Sequence, residues 1–380
     1  MTAVSLAVIR VIALGNGAAG AEKQALALGT RVLAHLSRAD AAKQSTLQLL
    51  SVPLSDRVFF QRLPPVLQVA AALVTRDPFF GYALSDTTKR ALLGRDDTGD
   101  KPRRRVKLVI GCGRSTVSIC AALKRLGQRS NEQVINVQIQ HPRVPLGLFD
   151  AVITPRHDFE KQANLPSNVY HTHGTMCALD HETLQHQGDA WREALTPYLD
   201  KHTRLTWLVG GSCRGFAFNE REAHDMADQV LAAMASFRPN ASLMVTFSRR
   251  TPPQAQVAIE TRLRASLCPD SELFVWNGQG ANPFNAFLHH ATAIVTTPDS
   301  VSMTTEAILT GKPVLTLATD RTSGKFQRFH QSLLTNAYTA PVSASSLATT
   351  AAASHGSTAI EAELDAIAAK IAHQVLSVAQ

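Results

Sequence analysis

At 380 residues the chain is too long for one ordinary hydrophobic core and suits two domains. Its 45% hydrophobic and 18% charged residues exclude disorder, and no apolar run approaches the roughly 20 residues of a membrane-spanning helix. Lys and Arg outnumber Asp and Glu by 38 to 30, a surplus of +8 that suggests anionic partners, while an aromatic share of 6% argues against a base-stacking platform and so against nucleic acid.

In chain order, short apolar runs alternate with Gly- or Pro-bearing loops and helical patterns. Val4–Leu14 precedes "GNGAAGAEKQALALG", a Gly-rich loop that opens a helix with Glu22 in its first turn. The N-terminus lacks a basic region and a small-residue cleavage site, so it reads as a first strand and not a signal peptide. "RVKLVI" precedes "GCGRS", which sets Arg114 at a helix N-terminus, a position the dipole disfavours unless an anion is near. "QVINVQIQ" and "DAVITPRHD" follow. Such alternation predicts βα units and a mostly parallel sheet.

The pattern pauses over 180–203, an amphipathic segment read as a bridging helix and linker, and then restarts with "LTWLVGGSCRG", "SLMVTFSRRTP", "ELFVWNGQGANP", "TAIVTTPDS" and "KPVLTLATD". The expected fold is therefore α/β, with two Rossmann-like βα domains, 1–179 and 204–335, facing a central cleft. Residues 336–380 read as a loose connector and a terminal helix. The five cysteines are odd in number and form no Cys-x-x-Cys pair, which points to a reducing compartment and away from zinc.

Ligands of such sheets bind beyond the carboxyl ends of the strands, so the loops there carry the candidates. Gly210 and Gly211 let backbone N–H groups approach a phosphate, Ser212 adds a donor and Arg214 a cation, although tight turns also use Gly for steric reasons alone. Either Arg249 or Arg250 would face the ligand, since neighbours rarely point at one target. Trp276 would stack on a base or belong to the core, and Asn282-Pro283 reads as N-cap and first helical residue. Asp299, Ser300 and Ser302 sit where a strand gives way to a helix, and Glu306 follows on that helix. One carboxylate there satisfies vicinal ribose hydroxyls beside an N-terminus that favours a diphosphate. In the first half His157 and Asp158 adjoin after a strand, either as a general base with its carboxylate or as a capped polar turn. His171 and His173, two apart, form the weakest case for a metal, and none is assigned.

"GGS" and "DSVSMTTEAILTGKPV", in this order, resemble the nucleotide-sugar domain of GT-B glycosyltransferases. With "GNGAAGAEKQ", "TPRHD", "FSRRTP" and "WNGQGANP" they resemble the family of the plant elongated-mitochondria fission factor and its bacterial relatives, from Gly15 to Val314. The resemblance implies a GT-B-like fold and a nucleoside diphosphate sugar as donor ligand, with no metal or other cofactor required. Glu306 would hold the ribose, and Gly210, Gly211, Ser212, Asn282 and the Asp299–Ser302 turn, with Arg249 or Arg250, the donor's remainder. If an inverting transfer takes place, its base would be His157, then Asp158, then Glu22. The resemblance equally implies a non-catalytic adaptor: a cytoplasmic protein, peripheral on the outer mitochondrial membrane and its anionic surface, that recruits a dynamin-related GTPase.

Overall fold

Strands covered on both faces need continuous apolar runs, and the chain's runs become such strands. A computed structural model describes residues 8–38, 45–55, 58–93, 105–130, 133–158, 165–213, 215–348 and 353–379. The chain divides into unit 1, Met1–Ala178 with Glu363–Gln380, and unit 2, Leu179–Ala362.

Unit 1 runs β1 (Val8–Gly15), α1 (Ala19–Arg38), β2 (Ser45–Ser51), α2 (Val58–Arg62), α3 (Pro65–Thr75), α4 (Asp86–Leu93), β3 (Arg105–Cys112), α5 (Val117–Ser130), β4 (Gln133–Ile139), β5 (Ala151–Pro155) and β6 (Val169–Thr172). All six strands are parallel, in the order β2-β1-β3-β4-β5-β6. The central strands are buried over most of their length, as at Leu108, Val109 and Ile110, whereas the edge strand β2 leaves Leu49 exposed.

Unit 2 runs α6 (His181–Leu199), β7 (Thr203–Val209), α7 (Glu220–Met234), β8 (Ala241–Phe247), α8 (Pro253–Arg264), β9 (Leu273–Val275), α9 (Phe284–His290), β10 (Ala293–Thr296), α10 (Val301–Leu309), β11 (Val314–Thr316), α11 (Gly324–Thr335), β12 (Ala340–Pro341) and α12 (Ala344–Ala348). Its sheet is again parallel, in the order β12-β11-β10-β7-β8-β9 around the fully buried Trp207. A last helix, α13 (Ala353–Ala379), ends the described chain. Two parallel six-stranded sheets with helices are the α/β architecture expected.

The expected bridge over 180–203 is placed differently: α6 belongs to unit 2. Asp180 caps its first turn by accepting the Glu182 N–H, and the Ser242 hydroxyl on β8 donates to the Tyr198 carbonyl near its other end. Gly188 lies so close to α9 that a Cβ there would come within 2.3 Å of the His289 ring. The terminal stretch also holds more structure than a loose connector, because β12 joins the sheet and the Ser343 hydroxyl accepts the Ser346 N–H at the start of α12.

In each sheet the strand order reverses once, between β1 and β3 in unit 1 and between β7 and β10 in unit 2. The crevice beyond such a switch point is where open α/β sheets place ligands. The Gly-rich turns after β1, β3 and β7 flank these points.

Candidate functional site

Unit 2 gathers four of the expected residues at its switch point. The Gly210 N–H donates to the Thr297 hydroxyl (2.7 Å), and the Gly211 N–H donates to Asp299 Oδ2 (2.8 Å). The Thr297 hydroxyl in turn donates to Asp299 Oδ1 at 2.8 Å. Arg250 Nη2 lies 2.9 Å from Asp299 Oδ2, with the carboxylate side chain fully buried and the arginine side chain 55% exposed. A buried carboxylate is tolerable only with such donors around it.

The same geometry explains the paired glycines. A Cβ on Gly210 would fall 2.0 Å from Asp299 Oδ1, and one on Gly211 would fall 2.3 Å from the Arg250 carbonyl oxygen. Thr251 closes the arrangement by donating its hydroxyl to the Gly210 carbonyl at 2.5 Å. On the facing turn Ser300 caps α10 by accepting the Met303 N–H (3.2 Å), and the Ser302 hydroxyl donates to Glu306 Oε1 (3.0 Å). Glu306 is half-buried and stands beyond the first turn of α10.

His330 on α11 bonds to the turn's backbone, a role that no spacing or motif in the sequence signals. Burial holds its imidazole below the ordinary pKa, and the ring donates from Nε2 to the Pro298 carbonyl at 2.7 Å. Cys213, next in the glycine-rich turn, has its thiol pushed up to about 11 by burial, so it stays protonated at neutral pH and is a poor nucleophile.

Among the described residues, the other expected residues of unit 2 bond elsewhere or stand exposed. The Ser212 hydroxyl accepts the Phe218 N–H at 3.0 Å, and Arg249 is exposed. Arg214 lies outside the described residues. Helix α9 starts at Phe284 with Pro283 at the capping position, one residue later than expected, while Asn282 Oδ1 accepts the Phe284 N–H. Half-buried Trp276 packs against a cluster with Tyr198, Met244 and Phe287 and donates its Nε1–H to the Gln279 carbonyl.

In unit 1 the Glu22 carboxylate accepts the N–H of Gly17 at 2.7 Å, folding the turn after β1 onto its own helix. His157 is 7% exposed, and its Nε2 stands 4.0 Å from Asp158 Oδ1, too far for a hydrogen bond. Asp158 Oδ2 instead accepts the Thr154 hydroxyl at 3.2 Å. Glu22 belongs to the turn region after β1 and the His157–Asp158 pair follows β5, with β3 and β4 between those strands in the sheet. Arg114 turns from the N-terminus of its helix and donates to the Leu63 carbonyl.

Arg156 and His173 meet on Glu363 of α13. Arg156 Nη2 lies 2.9 Å from Oε1, the His173 N–H donates to Oε2 (2.8 Å), and His173 Nδ1 lies 3.1 Å from Oε1. Burial pushes the Glu363 carboxyl up, but the hydrogen bonds from His173 and Arg156 outweigh it and hold it below the usual range. Among the described residues, no three His, Cys, Asp or Glu side chains gather as a metal site, and no helix is long and apolar enough to cross a membrane.

A family model described as "Mitochondrial fission ELM1" matches residues 19–377. The mitochondrial fission protein ELM1 of Arabidopsis thaliana is 34% identical over 247 residues, which cover 60% of this chain and 55% of that protein. An uncharacterized protein of Rickettsia prowazekii is 26% identical over 239 residues, 54% of this chain and 63% of its own. The chain thus spans little more than half the length of these curated relatives. Among solved structures, the UDP-GlcNAc 2-epimerase of Neisseria meningitidis bound to UDP-GlcNAc aligns with a TM-score of 0.51 at 13% identity, covering 97% of this chain and 99% of that one. The UDP-GlcNAc 2-epimerase of Methanocaldococcus jannaschii gives 0.51 at 10% identity, over 93% and 99%. At such identities the likeness shows the fold, which is GT-B-like.

Proposed function

The chain belongs to the mitochondrial fission ELM1 family, and from that premise we propose that unit 2 binds a nucleoside diphosphate sugar. The observation that carries this reading is Arg250: a guanidinium held on a buried carboxylate at one edge and open to solvent over the rest, at the sheet's switch point. Its outward N–H groups suit the diphosphate, in fork geometry. Glu306, half-buried one helix turn from Ser302, suits the ribose hydroxyls. The uridine diphosphate sugar in the Neisseria epimerase makes this ligand class the first to try.

Gly210 and Gly211 shape the turn around Asp299 in this reading, since their N–H groups already have partners. Calorimetry with UDP, UDP-N-acetylglucosamine and other nucleoside diphosphate sugars tests the proposal. Binding that weakens in Arg250→Ala and in Glu306→Ala supports it, and no heat at millimolar ligand sinks it.

A second reading is a non-catalytic adaptor for mitochondrial division, peripheral on the outer membrane, with a dynamin-related GTPase as partner. The same occupied donors favour it: the Gly210 and Gly211 amides are bonded within the protein, as a scaffold without a ligand would have them. Rescue of division in cells lacking their own family member, by a chain carrying both Arg250→Ala and Glu306→Ala, would support the adaptor. Loss of rescue with the fold intact would count against it.

A further inference from the structure

Six large apolar side chains are left exposed among the described residues, and four of them, Val66, Leu67, Val74 and Phe80, fall within one short stretch of unit 1. Three of the four belong to α3, which carries no charged residue. The inner side of the helix is fixed: Val69 and Ala72 are buried, and buried Gln68 donates from Nε2 to the carbonyls of Phe60 (2.8 Å) and Leu63 (3.2 Å). The outer side is therefore held rigidly toward solvent although it is apolar, and a clustered apolar face of this kind marks an interaction surface.

A cavity of about 890 Å³ adjoins this helix, lined by Phe60, Leu63, Phe79 and Phe80 and also by the charged Asp77 and Lys89. The Phe60 ring meets Phe80 edge-on at 5.7 Å and Tyr82 at 6.3 Å. Gly81 makes room for that ring, because a Cβ there would fall 2.2 Å from it. Exposed cations flank the apolar helix at both ends: Arg62 just before α3 and Arg76 at its C-terminal cap. Asp77, the acid nearest in sequence, has Oδ1 engaged by the Phe79 N–H.

We propose that α3 is a docking face for an anionic lipid bilayer. Arg62 and Arg76 would meet the headgroups while Val66, Leu67 and Val74 enter the interface. The charge pattern favours a bilayer as occupant: an uncharged apolar helix bordered by arginines matches a surface with hydrocarbon beneath and anions above. The inference locates the surface that the peripheral-membrane reading needs. Its test uses purified protein and vesicles alone, so failure of the adaptor reading in cells is a separate result.

The experiment is flotation of the full chain with vesicles of phosphatidylcholine, with and without phosphatidylserine. The expected result is binding to the phosphatidylserine vesicles that falls as salt rises. Leu67→Asp with Val74→Asp should weaken it by about tenfold or more. Arg62→Glu with Arg76→Glu should also weaken it and flatten the salt dependence. All four positions are exposed, and an unchanged thermal melt checks that each variant folds. The proposal is overturned if the chain does not float, if either pair binds like wild type, or if phosphatidylcholine alone binds equally well. It is also overturned if light scattering shows self-association that the aspartate pair abolishes, which would make the face a contact between two copies.

Discussion

The two units answer one structural demand in opposite ways. Each has a glycine-rich turn at its switch point, and in each a carboxylate takes a glycine N–H: Glu22 on Gly17 in unit 1, Asp299 on Gly211 in unit 2. Glu22 is half-buried and its bond to Gly17 lies at the surface, so water helps to solvate it. Asp299 has no exposed side-chain area, and Arg250 with the Thr297 hydroxyl stands in for water. Burial of the carboxylate is what brings a half-exposed cation to the turn in unit 2. Unit 1 makes a matching pair elsewhere, where Arg156, 57% exposed, lies on Glu363.

The comparison breaks first at Asp299. Asp299→Ala should cost about 3 kcal/mol in urea unfolding, since it orphans the buried Gly211 N–H, whereas Glu22→Ala should cost about 1 kcal/mol. Equal costs would mean that burial does not distinguish the two turns. Gly210→Ala comes next, at about 2 kcal/mol, because the methyl would collide with Asp299. Gly17→Ala has nothing within 4 Å but sits at φ +79°, so strain alone should cost about 1 kcal/mol.

Arg250→Ala extends the comparison from stability to binding. It removes one donor of the buried Asp299 carboxylate, so it should cost about 1–2 kcal/mol in urea unfolding. Nucleotide affinity should also fall about tenfold or more in calorimetry on the folded protein, the usual loss for a charged hydrogen bond. The smallest effect is one of pH. Glu363 has a lowered pKa, so its contribution is present above the unfolded value of about 4.5 and is lost as pH falls through the folded value. The stability gap between wild type and Glu363→Gln should be flat from neutral pH down to about 4.5 and shrink below it.

Much of this could be read in the sequence, because parallel strands write themselves as apolar runs, and "LTWLV" or "KLVI" has few other fates. The family's loops were readable for the same reason, each standing just after such a run. Contacts across the chain were not. "GGS" shows two glycines but not that Thr297 and Asp299 fill their N–H groups, since those partners are set by the sheet order. The amphipathic pattern over 180–203 fits any apolar neighbour, and it takes contacts such as Gly188 against His289 to show that the neighbour is α9. The exposed face of α3 went unread because "PVLQVAAALVT" looks like any core helix until one side is found to lack a cover.

The division of the chain also sets a timetable. Unit 2 is one uninterrupted stretch, whereas unit 1 is completed by residues from Glu363 onward. The first unit to emerge from the ribosome therefore waits for its closing piece while all of unit 2 is made, about 10–40 s at about 5–20 residues per second. During that interval Arg156 and His173 lack their carboxylate partner. Nascent chains arrested just short of Glu363 should show unit 1 more open to protease than chains extended past it, and equal protection would mean that unit 1 closes without its last helix.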